Sequence, residues 1–366
     1  MSSLPEEMHL EILKRLPPHP PVVLARASAV CKAWRRALKD PGFLRDLYRT
    51  HRGRPITIGF FHNSSSPLPR GFVPAGDHVP VSFSLESIDR LPTWRFVDCR
   101  HDRVLLHDGW RRFLVWHPVT GEGHCVLMGE LEAQGMPSGD RHASAALICE
   151  CRDGEADRRA VCSSSPFRVA VVFNHRNWRH IVGIVYSSLT GQWTPSTRLK
   201  FTCEFCREPC AVIGSTLYQP IYESLVLAFD TDQRSLTTFR RPTTPNGANI
   251  RLLKINDGML GVIGVQGSYL DLWAWDGDSW VSRMTIDLTD DPPGLPTMSE
   301  SHYSMFMTPT KIIGVAEEGD MLFLRTVMGI FMFFLESMEL KKVHESGHWM
   351  ETVYPYAPFY LSATQA

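Results

Sequence analysis

The run Tyr269-Leu-Asp-Leu-Trp-Ala-Trp-Asp-Gly-Asp-Ser-Trp280 is apolar and aromatic, breaks at Asp-Gly-Asp-Ser and resumes at a tryptophan. Aromatic and branched side chains suit a pleated surface, while glycine and aspartate supply the tolerant backbone of a tight turn, so the run predicts a hairpin. The unit recurs as Phe113-Leu-Val-Trp-His-Pro-Val-Thr-Gly121, Gly183-Ile-Val-Tyr-Ser-Ser-Leu-Thr-Gly-Gln-Trp193, Val226-Leu-Ala-Phe-Asp-Thr-Asp-Gln-Arg-Ser-Leu236 and Ile330-Phe-Met-Phe-Phe-Leu-Glu-Ser-Met-Glu-Leu340. A second strand pair lies upstream of several copies, at residues 97–106, 211–219, 252–265 and 311–324. Four strands per unit, repeated at intervals of roughly 43 to 70 residues, predict the blades of a β-propeller.

Five copies leave residues 56–85 and 352–361 over, and these two ends of the chain together complete a sixth blade. Six blades are therefore expected, with five or seven as the alternatives and a pair of β-sandwiches as the competing architecture. Nine of the ten tryptophans lie after position 54, several at equivalent turn positions, which favours a radial repeat. Residues 56–61 read as a strand, and residues 63–76, rich in Ser, Pro and Gly, read as a loop.

Before residue 55 the periodicity is helical. Ser3-Leu4-Pro5-Glu6 combines a serine, a proline in the first turn and a glutamate three residues on, which starts a helix that runs to about Leu16. Met8, Leu10, Ile12, Leu13 and Leu16 cover about half of its girth, so the helix needs two neighbours. A second helix is expected over residues 21–29. Val30, Ala33, Trp34, Ala37 and Leu38 form the apolar stripe of a third, over residues 30–39, and Asp40-Pro41 caps a fourth that turns Phe43, Leu44, Leu47 and Tyr48 inward. So small a unit carries more apolar surface than it can hide.

Leu4-Pro5-Glu6-Glu7, Glu11-Ile12-Leu13-Lys14-Arg15-Leu16-Pro17, Ala27-Ser28-Ala29-Val30-Cys31-Lys32-Ala33-Trp34-Arg35 and Asp40-Pro41-Gly42-Phe43-Leu44 resemble an F-box, in order and spacing. The resemblance implies docking on the Skp-type adaptor of a cullin-RING (SCF) ubiquitin ligase through Leu4, Pro5, Ile12, Leu13, Leu16, Val30, Cys31 and Trp34. The later repeats resemble the F-box-associated domain of large plant families, those of grasses especially. The residues concerned are Trp94-Arg-Phe-Val-Asp-Cys-Arg-His-Asp-Arg-Val-Leu-Leu106, Val115-Trp-His-Pro-Val-Thr-Gly121, Val185-Tyr-Ser-Ser-Leu-Thr-Gly-Gln-Trp193 and Leu335-Glu-Ser-Met-Glu-Leu-Lys-Lys342. The expected fold is α+β multidomain: a helical F-box over residues 1–54 and an all-β propeller over 55–366. The expected function is substrate recognition within the ligase, without catalysis, with an unknown protein target held by the propeller.

Composition sets bounds on the alternatives. The 366 residues are 43% hydrophobic and 21% charged, an ordinary globular balance. Residues 1–54 hold 11 basic against 5 acidic side chains and the remainder 27 against 34, so a basic head precedes an acidic body. That polarity argues against a general nucleic-acid or membrane-surface binder. No secretory pattern opens the sequence, and residues 327–335, the most apolar stretch, are too short to span a bilayer and read as a buried strand. Nine cysteines without framework spacing fit thiols in a reducing cytoplasmic or nuclear compartment.

Candidate chemistry is sparse. Cys203, Cys206 and Cys210 have a metal-like spacing but no fourth ligand nearby in sequence; Cys149, Cys151 or His175 would have to supply it. A metal-dependent activity in the propeller is one rival reading, and a glycan stacked on Trp178, Trp193, Trp273, Trp275 or Trp280 another. The expectation is no cofactor, with thiols in an inter-blade loop and tryptophans packed between blades. His101, His107, His117, His124 and His142 crowd the first repeat and read as dispersed histidines. Asp287, Asp290 and Asp291 read as turn residues, and Gly121-x-Gly123 as a hairpin turn.

Overall fold

The computed structural model describes residues 6–16, 27, 29–38, 40, 43, 57–64, 71–75, 83, 94–118, 121–129, 143–150, 165–175, 179–201, 203–222, 224–242, 249–255, 258–289, 310–345 and 349–357. Two helices among them, α1 (Glu6–Arg15) and α2 (Lys32–Ala37), precede strands arranged as six sheets. The strands β1 (Gly59–His62) and β2 (Gly71–Pro74) come first in the chain, yet their sheet is completed by a strand from the other end. The intervening blades are β3 (Trp94–Arg100) to β6 (Gly123–Leu127), β7 (Ala143–Cys149) to β11 (Thr197–Leu199), β12 (Ala211–Ile213) to β15 (Ser235–Arg240), β16 (Asn249–Lys254) to β19 (Trp280–Asp287), and β20 (Lys311–Val315) to β23 (Leu340–His344). Each is an antiparallel meander; in the second, β11 also pairs with the third strand.

The sixth blade closes the ring. β24 (Val353–Tyr356) pairs antiparallel with β1 in the register Gly59↔Tyr356 to His62↔Val353, and β1 pairs in turn with β2. The first strands of the blades surround the axis in the order β3, β7, β12, β16, β20, β24. The carboxyl-terminal strand thus supplies the innermost position of a blade whose outer strands lie at the start of the propeller.

No single core holds the ring. Six apolar clusters lie between successive blades, one per interface. Middle strands are consequently buried on both faces: β8 (Phe167–Asn174) has one position short of full burial, and β21 (Met321–Thr326) none. Successive residues of a strand point to opposite faces. Phe60 therefore meets Phe323 of the fifth blade, ring centroids 5.1 Å apart, while Phe61 meets Phe96 and Trp116 of the first at 4.9 and 5.8 Å.

The five repeat copies fall on the third strand and outer turn of the five complete blades, and four of them reach into the fourth strand. Their turns share a left-handed residue: Gly121, Gly191, Arg234, Gly277 and Met338 all have positive φ. Outer strands β6, β15, β19 and β23 bury at most one residue each and carry charges such as Lys341 and Lys342, which discourages edge-to-edge pairing. The expected loop at residues 63–76 is corrected by β2 at its end. Pro74 sits at the end of an edge strand, where its missing N–H breaks no ladder, so local composition hid the strand.

Two substitutions probe this packing. Phe61→Ala removes a ring fully buried in the closing interface and is expected to cost about 3–5 kcal/mol in chemical denaturation. Gly183→Ala would place a Cβ 2.8 Å from the Phe229 ring of the third blade; a loss of about 1–3 kcal/mol is expected, recovered in part by Phe229→Leu.

Candidate functional site

The helical head has a small core of its own. Leu13, Ala27, Leu38 and Phe43 are buried together, with Leu10, Leu16, Trp34 and Ala37 packed against them, and every member lies between residues 10 and 43. Cys31 caps α2, its Sγ accepting from the Trp34 amide at 3.4 Å. The Trp34 indole N–H donates to His9 Nδ1 at 2.7 Å, tying α2 to α1. Asp40 accepts from the Phe43 amide at 2.7 Å, the capping bond its sequence position predicts.

That core uses only part of the apolar girth. Met8, Ile12 and Val30 remain 51, 39 and 66% exposed. Met8 and Ile12 are four residues apart and share one line on α1, while Leu13 lies about 100° away and points inward. Of the expected adaptor contacts, Ile12 and Val30 are on the surface, and Leu16, Cys31 and Trp34 are partly buried. Leu13 is fully buried in the head and does not reach the surface, because the turn of the helix puts it against Leu38 and Phe43. Leu4 and Pro5 lie outside the described residues, as does most of the expected second helix. Exposed Arg15, Lys32, Arg35 and Arg36 flank the apolar residues.

The propeller offers its central channel. Where the inner strands begin, a cavity of about 480 Å³ is lined by Arg95, Arg207, Glu208, Gln219 and Glu351 among others. Arg325, buried in β21, donates to the Met350 carbonyl at 2.7 Å and to Glu351 Oε1 at 3.1 Å. Burial works against the Glu351 charge, but Arg325 holds its carboxyl below the usual range. Arg251 donates to the Ile250 carbonyl at 2.8 Å and faces Glu208 at 3.6 Å.

At the far end, buried Asp98 binds the first blade to the second: it accepts from the Leu147 amide, the Cys99 amide and Arg100 Nε, each at 2.9 Å. Burial pushes its carboxyl up in spite of those donors. Beside it, His101 Nδ1 lies 2.9 Å from Cys149 Sγ, and His101 Nε2 lies 2.7 Å from Glu317 Oε1. Sequence reading had no means of finding this cluster, since its members are 48 and 216 residues apart.

The remaining candidates are accounted for by packing. Trp193 Nε1 donates to the Leu127 carbonyl at 2.9 Å and Trp280 Nε1 to the Arg240 carbonyl at 2.7 Å, each reaching the last strand of the preceding blade. Trp275 stacks on Phe239 at 4.8 Å. These rings clasp neighbouring blades, as the inter-blade reading expects; Trp178 lies outside the described residues. Cys206 and Cys210 are pushed up to about 12, burial being the main cause, and Cys210 Sγ donates to the Ala145 carbonyl at 3.4 Å. Among the described residues no three His, Cys, Asp or Glu side chains converge as a metal site. His107 accepts from the Trp110 amide and stacks on that ring at 4.1 Å, His124 meets the Tyr186 hydroxyl at 2.9 Å, and His175 stacks on His180 at 4.5 Å. Asp287 accepts from the Thr289 amide and hydroxyl, a turn role. No helix among the described residues is long and apolar enough to cross a membrane.

Comparison with known proteins agrees with this division. Residues 1–50 match the F-box-like family model, and residues 95–361 match the model described as F-box protein AT5G49610-like, beta-propeller. No curated protein matches the chain. Among solved structures, a chain of the "Crystal Structure of Mitotic Checkpoint Complex" is similar at 10% identity and a TM-score of 0.35, covering 68% of this chain and 64% of that one. The protein thus spans just under two thirds of that chain's length. With an F-box-like segment at its amino terminus and a propeller model matched over most of its length, the chain belongs to the F-box protein AT5G49610-like beta-propeller family.

Proposed function

We propose that this protein is the substrate-recognition subunit of an SCF-type ubiquitin ligase. The helical head, residues 1–54, docks on a Skp-type adaptor, and through it on the cullin-RING assembly. The propeller, residues 55–366, presents a protein target and does no covalent chemistry in ubiquitin transfer. The cellular setting we infer is a plant cytoplasm or nucleus. The reading is carried by one observation: Met8, Ile12 and Val30 stay exposed on a head whose core is already closed by Leu13, Ala27, Leu38 and Phe43. Met8 and Ile12 lie side by side on one line of α1, and neighbouring exposed apolar side chains on so small a unit suit a surface that a partner covers. Leu4, Pro5, Leu16, Cys31 and Trp34 belong to the same docking region by the F-box resemblance. The basic side chains beside it suit an acidic adaptor surface.

The geometry chooses the test. Leu16 and Trp34 help to hold the head together, so changing them confuses folding with binding. Ile12→Asp with Val30→Asp alters two exposed positions instead. Burial of two such side chains is worth about 2–3 kcal/mol, so adaptor affinity should fall on the order of 100-fold. The expected outcome is loss of co-purification with a Skp-type adaptor while the thermal melt stays within a few degrees of the parent. Undiminished capture by the folded variant refutes the proposal.

A further inference from the structure

The cluster at the far end of the channel has no part in adaptor docking. We propose that Cys149, with His101 and Glu317, is a reactive-thiol site whose thiolate is oxidised by hydroperoxides to a sulfenic acid.

Three blades bring the groups together. His101 lies in the turn after β3, Cys149 ends β7, and Glu317 lies in the turn after β20. The imidazole bridges the two others, Nδ1 at 2.9 Å from the sulfur and Nε2 at 2.7 Å from the carboxylate. Glu317 also accepts from the His101 amide through its other oxygen at 3.2 Å, which holds ring and carboxylate in one orientation. A line of carboxylate, imidazolium and thiolate alternates in charge, each stabilising the next, and a thiolate beside a histidine cation is the nucleophilic form of cysteine.

The local backbone favours the same reading. His101 and Asp102 both have left-handed φ, +46° and +66°, in a tight turn where glycine or asparagine is more usual. This turn sets the ring between Cys149 and Glu317. Burial opposes charge on His101, but Glu317 and the bond to Cys149 outweigh it and take the imidazolium up to about 10. Among the described residues, charged groups nearby include Asp98, Arg100 and Asp102 on the first blade, and Glu150 with its partner Arg168 on the second. Cys206 and Cys210, pushed up to about 12, show that burial elsewhere in this protein suppresses the thiolate.

Cys149 is only partly covered, so a small hydroperoxide can reach the sulfur. Glu317 also borders a separate cavity of about 60 Å³ with Asp98, Cys99 and Arg100, room for a few waters. In the reaction the thiolate attacks one peroxide oxygen, an S–O bond forms and the O–O bond breaks. The departing hydroxide or alkoxide takes the His101 proton and leaves as water or alcohol. Sulfur is oxidised by two electrons and the peroxide is reduced. With the sulfur uncharged as a sulfenic acid and the imidazole deprotonated, the alternation of charge is lost, which loosens a contact spanning three blades.

The test uses the full chain with Cys151→Ser, so that one peptide reports Cys149 alone. Iodoacetamide labelling followed by mass spectrometry should be roughly tenfold faster at pH 6 than for the same sequence as a short unstructured peptide. Between pH 6 and 8.5 the protein's rate should stay nearly flat, while the peptide's climbs on the order of 100-fold. Dimedone should trap a sulfenic acid at Cys149 after hydrogen peroxide. Glu317→Gln, which keeps the shape and removes the charge, and His101→Gln should each slow labelling at pH 6 by roughly tenfold. A peptide-like pH profile overturns the proposal, as does a Cys149 rate unchanged in folded Glu317→Gln. Labelling that begins only after a chelator is added also overturns it, since the group would then be a metal ligand. If His101→Gln does not fold, the pH profile of the parent decides.

Discussion

Everything in the propeller depends on the antiparallel pairing of β24 with β1. A blade has two apolar faces, and each face is covered only by the next blade, so an open row of six would leave two faces in water. Pairing Gly59 with Tyr356 and His62 with Val353 joins chain ends nearly 300 residues apart and turns that row into a ring. Such a contact is entropically costly to form, but the cost grows only slowly with loop length. The return is two further inter-blade cores, in which Phe60 and Phe61 face opposite neighbours because side chains alternate along a strand.

Closure also decides where charge can be tolerated. Inner strands crowd around the axis, and polar groups there lose much of their water. Asp98, Arg251 and Arg325 are buried but held by backbone groups or opposite charges from other blades. Buried pairs of this kind contribute little net stability compared with apolar packing, yet removing one partner is expensive. They therefore act as register marks: each makes its contact with another blade only when the blades stand in the right order. The tryptophan clasps at Trp193 and Trp280 do the same on the outer rim, each indole donating to the last strand of the preceding blade.

The head follows different physics. Its helices are short, and one of the two leucines that close its core, Leu13, sits beside a residue that remains outside it, Ile12. A helix with apolar residues over half its girth serves two masters, and here the division runs between adjacent residues 100° apart. The same separation lets a binding surface change without disturbing the fold that carries it.

Local pattern was enough for much of this. Helical spacing marked α1 and α2, capping chemistry marked Asp40, and the recurring strand–turn–strand unit located the outer hairpin of five blades, because period and turn preference are properties of neighbouring residues. Even the sixth blade was legible, as the remainder when five repeats had been counted. Beyond that, distance in sequence hid what mattered. β2 was concealed in a Gly- and Pro-rich stretch, since an edge strand needs only one partner. Nothing local separates Leu13, which is buried, from Ile12, which is exposed. The meeting of His101, Cys149 and Glu317 was set by the tertiary structure alone: three ordinary turn and strand-end residues become a site only when ring closure brings the first, second and fifth blades to one end of the channel.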